Sequence, residues 1–321
     1  MLKAAVIGVG YLGQFHAQKI AESSQAELVA VCDIDLQRAQ EIAAKYNTTA
    51  YQDYRQIIDQ VDTVNIVTPT KSHFAVAHEF LEQGIHTLIE KPISTTTEEA
   101  QTLIDLAKAR NATLQVGHLE RFNNAVKAIT PYINSPRFIE STRLAPFKLR
   151  GSDVNVILDL MIHDIDIIHS ILKANIVDIR ATGARAVSNS IDIANARIEF
   201  DNGCIANVTA SRISLHTERK LQIFCQQHYL TADLNRKKIT LHNKSTEELY
   251  PGIPRIVKKT DQFEQGDALK EQIEAFFNSI NTNTPPLVSG IDGKHALMTA
   301  TQITQLIKQH NEKHPHLEKS S

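Results

Sequence analysis

Gly8-Val9-Gly10-Tyr11-Leu12-Gly13 joins an apolar run at residues 4–9 to a stretch of helical periodicity at residues 12–23. A strand that passes through a Gly-x-Gly-x-x-Gly turn straight into a helix leaves few folds open. The first glycine permits the tight turn, the second lets backbone approach a pyrophosphate, and the third lets helix and strand pack closely. The helix N-terminus then offers free N–H groups and a positive dipole end to the phosphates. Asp33 closes a second β-rich run, twenty residues on from Gly13. A carboxylate there accepts from the adenosine ribose hydroxyls and repels a 2′-phosphate, which favours NAD over NADP. Arg38, on the following helix, is expected to face solvent. Gly8, Gly10, Tyr11, Leu12, Gly13 and Asp33 are thus candidate cofactor contacts. The competing explanation is a plain glycine turn beside a surface aspartate.

The alternation of strand and helix continues. Strand patterns at residues 28–32, 63–67, 87–89 and 114–117 are separated by helix patterns at 36–46, 74–83 and 97–110. Gly84 reads as a helix stop. Single helices between continuously apolar strands imply βαβ units and a buried parallel sheet. After Gly117 the pattern changes. A helical patch at 123–132, a strand at 137–146 and a long apolar helix at 154–172 lead into strand-like segments at 176–186, 193–200, 204–211, 219–226, 229–233 and 238–242. Strands in succession imply an antiparallel sheet, and Asp201-Asn202-Gly203 is a hairpin turn signal. Helices at 267–280 and 294–309 follow, and the tail from residue 311 is polar. A length of 321 residues suits two domains.

Composition removes several function classes. Lys plus Arg is 34 and Asp plus Glu is 36, a net charge of −2, without the basic excess of a nucleic-acid binder. Cys32, Cys204 and Cys225 form no CxxC pair, which points to a reduced, cytoplasmic setting. No apolar run approaches the ~18 residues of a membrane span. Residues 4–9 read as a buried strand rather than a signal peptide. The fourteen histidines form no HExxH or Cys-His ligand set, so no metal site is expected.

Further motifs fall into register with this frame. Thr68-Pro69 follows the strand at 63–67, with His73 a short step on. Glu90-Lys91-Pro92 ends the next strand, and Gly117-His118 the one after, followed by Glu120-Arg121-Phe122-Asn123. Asp159 and His163 share the long helix. Together these resemble the glucose-fructose oxidoreductase, inositol dehydrogenase and rhizopine catabolism (Gfo/Idh/MocA) family of NAD(P) oxidoreductases. The resemblance implies an α/β fold class. Residues 1–118 would form an NAD-binding Rossmann domain with a doubly wound parallel sheet. Residues 119–321 would form an α+β domain for substrate binding and oligomerisation, with an open, mostly antiparallel sheet.

It also implies a substrate held between the domains against the nicotinamide, and a homodimer or homotetramer built on the free sheet face. Thr68, Pro69, His73, Glu90 and Lys91 join the candidate cofactor contacts. Lys91 would also touch substrate, and Asp159 and His163 its hydroxyls. Spacing agrees: Asp159 and His163 are i and i+4 on a helix, with Asp166 at i+7. A lysine at a strand C-terminus lines the ligand crevice of an open α/β sheet, and Pro92 is able to fix the backbone there through a cis peptide. A satisfied core histidine and a solvated lysine are the ordinary alternatives. The sequence departs from the family where glycines are common, having Val154, Asn155, Val156 and Met161 instead. Met161 is expected to narrow or reshape the pocket.

The strings at 116–123 and 158–166 are similar to a narrower branch that oxidises the 3-hydroxyl of UDP-N-acetylglucosamine. In that branch the 3-keto product passes to an aminotransferase for lipid A. Arg121, Arg143, Lys148 and Arg150 are candidate ligands for a diphosphate, which suits forked guanidinium donors. A solvated basic loop is the alternative. On this reading His163 is the base, Lys91 stabilises charge developing on the hydroxyl oxygen, and Asp159 orients the ring. His163 and Lys91 are interchangeable at this level. The rivals are a dehydrogenase of an uncharged polyol such as inositol, and a non-catalytic NAD-binding regulator on the same fold.

Overall fold

The computed structural model describes residues 1–148, 154–264 and 266–314. Strands β1 (Leu2–Ile7), β2 (Ala26–Cys32), β3 (Thr49–Tyr51), β4 (Thr63–Ile66), β5 (His86–Glu90) and β6 (Leu114–Gly117) form one parallel sheet in the order β3-β2-β1-β4-β5-β6. Helices α1 (Gly13–Ala21), α2 (Leu36–Tyr46), α3 (Thr70–Glu82) and α4 (Thr97–Ala109) follow β1, β2, β4 and β5. Ala4, Ala5, Val6, Val64, Ile66, Leu88 and Ile89 are fully buried, which is why these strands read as unbroken apolar runs. The chain winds outward from β1 to β3 and restarts at β4 on the other side of β1. Strand order thus reverses between β1 and β4, and the loops at their C-terminal ends diverge around a crevice.

Local chemistry sets the helix ends. The Asp35 side chain accepts from the Arg38 N–H at the start of α2, and Thr96 and Glu99 form a reciprocal capping box on α4. Beyond α3, Gly84 has φ of +75°, the left-handed stop expected of it.

The second sheet contains β7 (Phe138–Leu144), β8 (Ile176–Ala184), β9 (Ile193–Phe200), β10 (Ile205–Ser211), β11 (Glu218–Phe224), β12 (His228–Asp233), β13 (Lys238–Tyr250) and β14 (Ile253–Gln262). Its order is β14-β13-β12-β11-β7-β10-β9-β8. Only β7 and β10 pair in parallel; all other neighbours are antiparallel. Ala194, Ala196, Ile198 and Phe200 are buried while the residues between them are not, the period-two signature of a sheet covered on one face. At the expected hairpin between β9 and β10, Gly203 has φ of +78° and the Asn202 side chain accepts from the Cys204 N–H. α5 (Asn124–Ile129) and α6 (Ile162–Leu172) belong to this unit.

The chain's last two described helices are α7 (Ala268–Thr282) and α8 (Gly290–Lys313). Compact units comprise Met1–Leu119 with Asp267–Leu297, and Glu120–Gly266 with the chain from Met298 on. The first crossing lies one residue past the expected boundary at 118. The second departs from the expectation of one continuous C-terminal domain over 119–321. Ile273, Phe276 and Phe277 of α7 are fully buried in the same core as Ala4, Val6, Ala17, Ile20, Leu28 and Val31. Burying side chains of this size contributes roughly 1.5–3 kcal/mol each. Gln25 Nε2 donates to Glu274 Oε2 at 2.6 Å, and Lys19 Nζ lies 2.9 Å from Asp267 Oδ2. A helix pattern reveals an apolar face but not which core receives it. Among the described residues no helix is long and apolar enough to cross a membrane.

Candidate active site

In the first unit the three glycines meet three different constraints. Gly8 has φ of +87°, and a Cβ there would lie 2.8 Å from the Val67 carbonyl oxygen. A Cβ on Gly13 would lie 1.8 Å from the Gly8 carbonyl oxygen. At Gly10 a Cβ would meet nothing within 4 Å, so this Cα faces open space at the start of α1. Leu12 caps α1 with no side-chain hydrogen bond; the Gln14 and Phe15 N–H groups turn to the Gly10 and Leu12 carbonyls, and the positive end of the helix dipole faces the glycine turn. Tyr11 is exposed beside them, edge-on to Phe15. Asp33 is buried at the end of β2. Its Oδ2 accepts from the Val9 N–H at 2.9 Å, which ties the glycine turn to the ribose-reading position, and its Oδ1 accepts from the Asp35 N–H. Carboxylate, uncapped helix end and open Gly10 together fit a dinucleotide.

Arg38 is exposed, as expected, and also reaches back to the carboxylates. Its Nη1 lies 3.4 Å from both Asp33 oxygens and its Nη2 3.1 Å from Asp35 Oδ2, so a solvent-facing guanidinium stands beside the carboxylates.

Thr68-Pro69 leads from β4 into α3. His73, on the first turn of α3, is buried, with Nδ1 2.8 Å from the Pro92 carbonyl oxygen and Nε2 2.8 Å from that of Thr68. Both ring nitrogens are engaged by backbone, so His73 braces the loops after β4 and β5. Its ring nitrogens are therefore turned to backbone carbonyls rather than outward to a cofactor. Burial lowers its pKa against the opposing pull of those carbonyls and Glu90.

Glu90 ends β5, and the Lys91–Pro92 peptide is cis. Glu90 Oε1 lies 3.2 Å from His16 Nε2, and Oε2 accepts from the Lys91 N–H at 3.3 Å. Burial acts to raise the Glu90 pKa; the hydrogen bond from His16 and the neighbouring Lys91 charge override it and hold the carboxyl below its ordinary value.

In the second unit, Asp159 lies in a π turn, Ile157–Met161, that runs into α6. The Ile162 N–H bonds to the Ile157 carbonyl, one residue wider than an α turn. Such turns concentrate at functional sites. The sequence pattern, which predicts a regular helix through 154–172, does not contain this widening. Asn155 shapes its entry by accepting from the Leu158 N–H at 2.9 Å. Asp159 and His163 are half-buried while Met161 and Ile162 between them are fully buried, so both carry side chains on the accessible side of the segment. Met161 fills the interior.

Comparison with known proteins gives these motifs a family. Residues 2–118 match the oxidoreductase family with an NAD-binding Rossmann fold, and residues 141–231 match the GFO/IDH/MocA C-terminal domain. The chain belongs to the Gfo/Idh/MocA family of oxidoreductases. It is 39% identical over 303 residues to UDP-N-acetylglucosamine 3-dehydrogenase of Acidithiobacillus ferrooxidans, covering 94% of this chain and 96% of that one. A solved structure of that enzyme matches with a TM-score of 0.91 over 96% of this chain and 98% of its own, at 38% identity. Myo-inositol 2-dehydrogenase of Thermotoga maritima is 24% identical, covering 92% of this chain and 93% of that relative.

Among the described residues, the basic side chains singled out as diphosphate ligands have different settings. Arg143 is buried: Nε donates to Asp164 Oδ2 at 2.7 Å, Nη2 to Asp164 Oδ1 at 2.9 Å and Nη1 to Glu120 Oε1 at 2.9 Å. Arg219 Nη1 reaches the same Glu120 oxygen at 3.0 Å. With every guanidinium nitrogen on a carboxylate, Arg143 is a structural residue, which corrects its assignment as a diphosphate ligand. Burial opposes ionisation of Glu120, but the charges of Arg143 and Arg219 hold its pKa at about 2. Arg121 is nearly buried, its Nε 3.9 Å from Asp166 Oδ2. Lys148 is exposed, and Arg150 lies outside the described residues.

Sequence reasoning missed a second buried knot. Asp192 Oδ2 accepts from the N–H groups of Ala186, Val187 and Ser188, and its Oδ1 from Arg212 Nε at 2.8 Å. Arg212 Nη1 also donates to the Val154 carbonyl at 2.7 Å, and the Val156 N–H to that of Ile191, which pins the start of the Asp159 segment. Beside it is a cavity of about 360 Å³ whose lining includes Asn155, Leu158, Arg185 and Lys308. His16 was missed as well, although a histidine among the buried Ala17 and Ile20 of α1 is a readable signal of an internal partner.

Proposed function

We propose that this oxidoreductase oxidises a ring hydroxyl of a sugar nucleotide, the 3-hydroxyl of UDP-N-acetylglucosamine: hydride leaves the ring carbon C3 for NAD, and the hydroxyl on that carbon gives up its proton. The observation that carries the reading is the match to UDP-N-acetylglucosamine 3-dehydrogenase along almost the whole of both chains, at an identity well above that of the inositol dehydrogenase. Asp33 supports NAD, because a buried carboxylate at the ribose position disfavours a 2′-phosphate. Bound there, the dinucleotide supplies the hydride acceptor.

The chain's own residues handle the proton and the orientation. His163 takes the proton from the hydroxyl, Lys91 holds the oxygen as negative charge develops, and Asp159 accepts from a neighbouring hydroxyl. Thr68, Pro69 and Glu90 shape the cofactor side. Arg185 and Lys308, at the cavity beside Asn155, bring the positive charge for a diphosphate that Arg143 does not. The 3-keto product then passes to an aminotransferase ahead of lipid A, and the enzyme works in the cytoplasm as a homodimer or homotetramer.

Burial of Arg143 favours one rival, oxidation of an uncharged polyol, because it removes a charge that a diphosphate needs. The test is NADH formation with UDP-N-acetylglucosamine, inositol and free N-acetylglucosamine in parallel, each with and without an aminotransferase and glutamate to draw off product. Turnover of the nucleotide sugar alone supports the reading. Turnover of inositol alone selects the rival. No turnover of any of the three, with NAD binding by calorimetry, removes these substrates, keeps the cofactor site and directs the assay to a wider panel of polyols.

A further inference from the structure

We propose that Glu90 is the positioning residue for Lys91, and that a buried hydrogen-bond chain from Asn65 through His16 sets its carboxylate. The proposal rests on the reading of Lys91 as the group at the reacting hydroxyl.

A carboxylate that follows the fully buried Leu88 and Ile89 at the end of a central strand needs partners from other elements. α1 supplies the partner, β4 holds that partner in place, and β6 leaves the carboxylate its space. Asn65 of β4 and His16 of α1 are both fully buried, with Asn65 Nδ2 3.0 Å from His16 Nδ1 and His16 Nε2 3.2 Å from Glu90 Oε1. With Asn65 donating to Nδ1, the imidazole proton sits on Nε2 and points at the carboxylate. One ring nitrogen fixes the tautomer and the other delivers the bond. From β6, Gly117 pairs directly with Glu90, and a Cβ there would lie 2.6 Å from Oε1. Glycine at that position leaves the carboxylate its room.

The result reaches Lys91 in two ways. Oε2 accepts from the Lys91 N–H, which fixes the peptide from which the side chain departs. The negative charge also interacts with that of the Lys91 ammonium; the other titratable groups around Glu90 are His16 from α1 and His73 from α3. A neighbouring anion favours protonated lysine, the form that donates to a developing alkoxide. Glu90 thus acts through Lys91, while His16 and Asn65 act through Glu90.

The experiment is an NMR pH titration of the full-length protein with its lysines reductively ¹³C-dimethylated, which keeps the charge. The Lys91 signal is assigned by its loss in Lys91→Arg. Glu90→Gln is expected to lower the Lys91 pKa by about one unit. His16→Leu should move it in the same direction, and His16→Gln, which restores an N–H donor, should return it towards wild type. Gly117→Ala reaches the same carboxylate from β6 and reads the effect if His16→Leu does not fold. An unchanged Lys91 titration in Glu90→Gln overturns the proposal. So does a shift in Glu90→Gln with none in any folded His16 or Gly117 variant. Because this readout needs no substrate, it stands apart from the turnover assay: failure on UDP-N-acetylglucosamine removes the substrate reading and leaves the Glu90 result to be judged alone. Where a substrate turns over, His16→Leu should lower kcat by roughly 10–100-fold with little change in KM, as for other residues that orient a functional group from behind.

Discussion

Arg143 grips Asp164 through a two-pronged fork, Nε to Oδ2 at 2.7 Å and Nη2 to Oδ1 at 2.9 Å, with both side chains 3% exposed. The pair joins β7 to α6, the helix that carries His163. Removing one member of a buried pair strands the other's charge, at a cost of roughly 3–5 kcal/mol. Arg143→Ala is therefore expected to lose stability on that scale in urea unfolding. Arg143→Lys should recover little, because an ammonium cannot reproduce the fork. A stable Arg143→Ala protein with a raised KM for the nucleotide sugar would return Arg143 to the ligand set.

Glu120 predicts an acid limit. Its pKa is held at about 2 against an ordinary 4.5. A depressed carboxyl contributes stability in full above the unfolded value and loses it as pH falls through the folded one. The loss should fall between about pH 4.5 and 2. Acid titration of unfolding free energy should show this slope in wild type and a shallower one in Glu120→Gln.

How far such features are legible depends on whether the cause is local in sequence. The Gly8, Gly10 and Gly13 turn and the apolar strands are local, and each stands where the pattern placed it. The hairpin of β13 and β14 was missed beyond residue 242 because most of its residues are exposed on both faces, so no apolar alternation marks it. Arg143 looked like a surface cation because its partners Asp164 and Glu120 are 21 and 23 residues away. His16 and Asn65, 49 residues apart, meet only once β1 and β4 are adjacent.

His163→Ala should separate chemistry from cofactor binding. Removing a general base costs roughly 10²–10⁴ in turnover. His163 is in the second unit and the dinucleotide-fitting glycines are in the first, so NAD affinity by calorimetry should stay near wild type. If Lys91→Ala abolishes the acidic limb of the pH–rate profile while His163→Ala retains it, the two roles are exchanged.

Arg185 and Lys308 offer a test of substrate charge. Replacing both by alanine should raise KM for UDP-N-acetylglucosamine by about tenfold or more, equivalent to about 1.4 kcal/mol, and leave NAD binding unaltered. A double variant with wild-type KM would remove this cavity from the substrate site.

Cofactor choice turns on Asp33 and its neighbour Arg38. The Asp33 carboxylate both repels a 2′-phosphate and occupies the Arg38 head, whose Nη1 lies 3.4 Å from each of its oxygens. Asp33→Ser removes the repulsion and releases a guanidinium suited to phosphate. The same change deletes the bond from the Val9 N–H, so NAD affinity should fall as well. The expected result is a rise of about tenfold or more in the NADP to NAD affinity ratio, about 1.4 kcal/mol, measured by titration calorimetry with both dinucleotides. Adding Arg38→Ala to Asp33→Ser should reverse much of that rise, because NADP then loses its counter-charge while NAD loses nothing further. A double variant that keeps the full NADP gain would mean that Asp33 acts by repulsion alone.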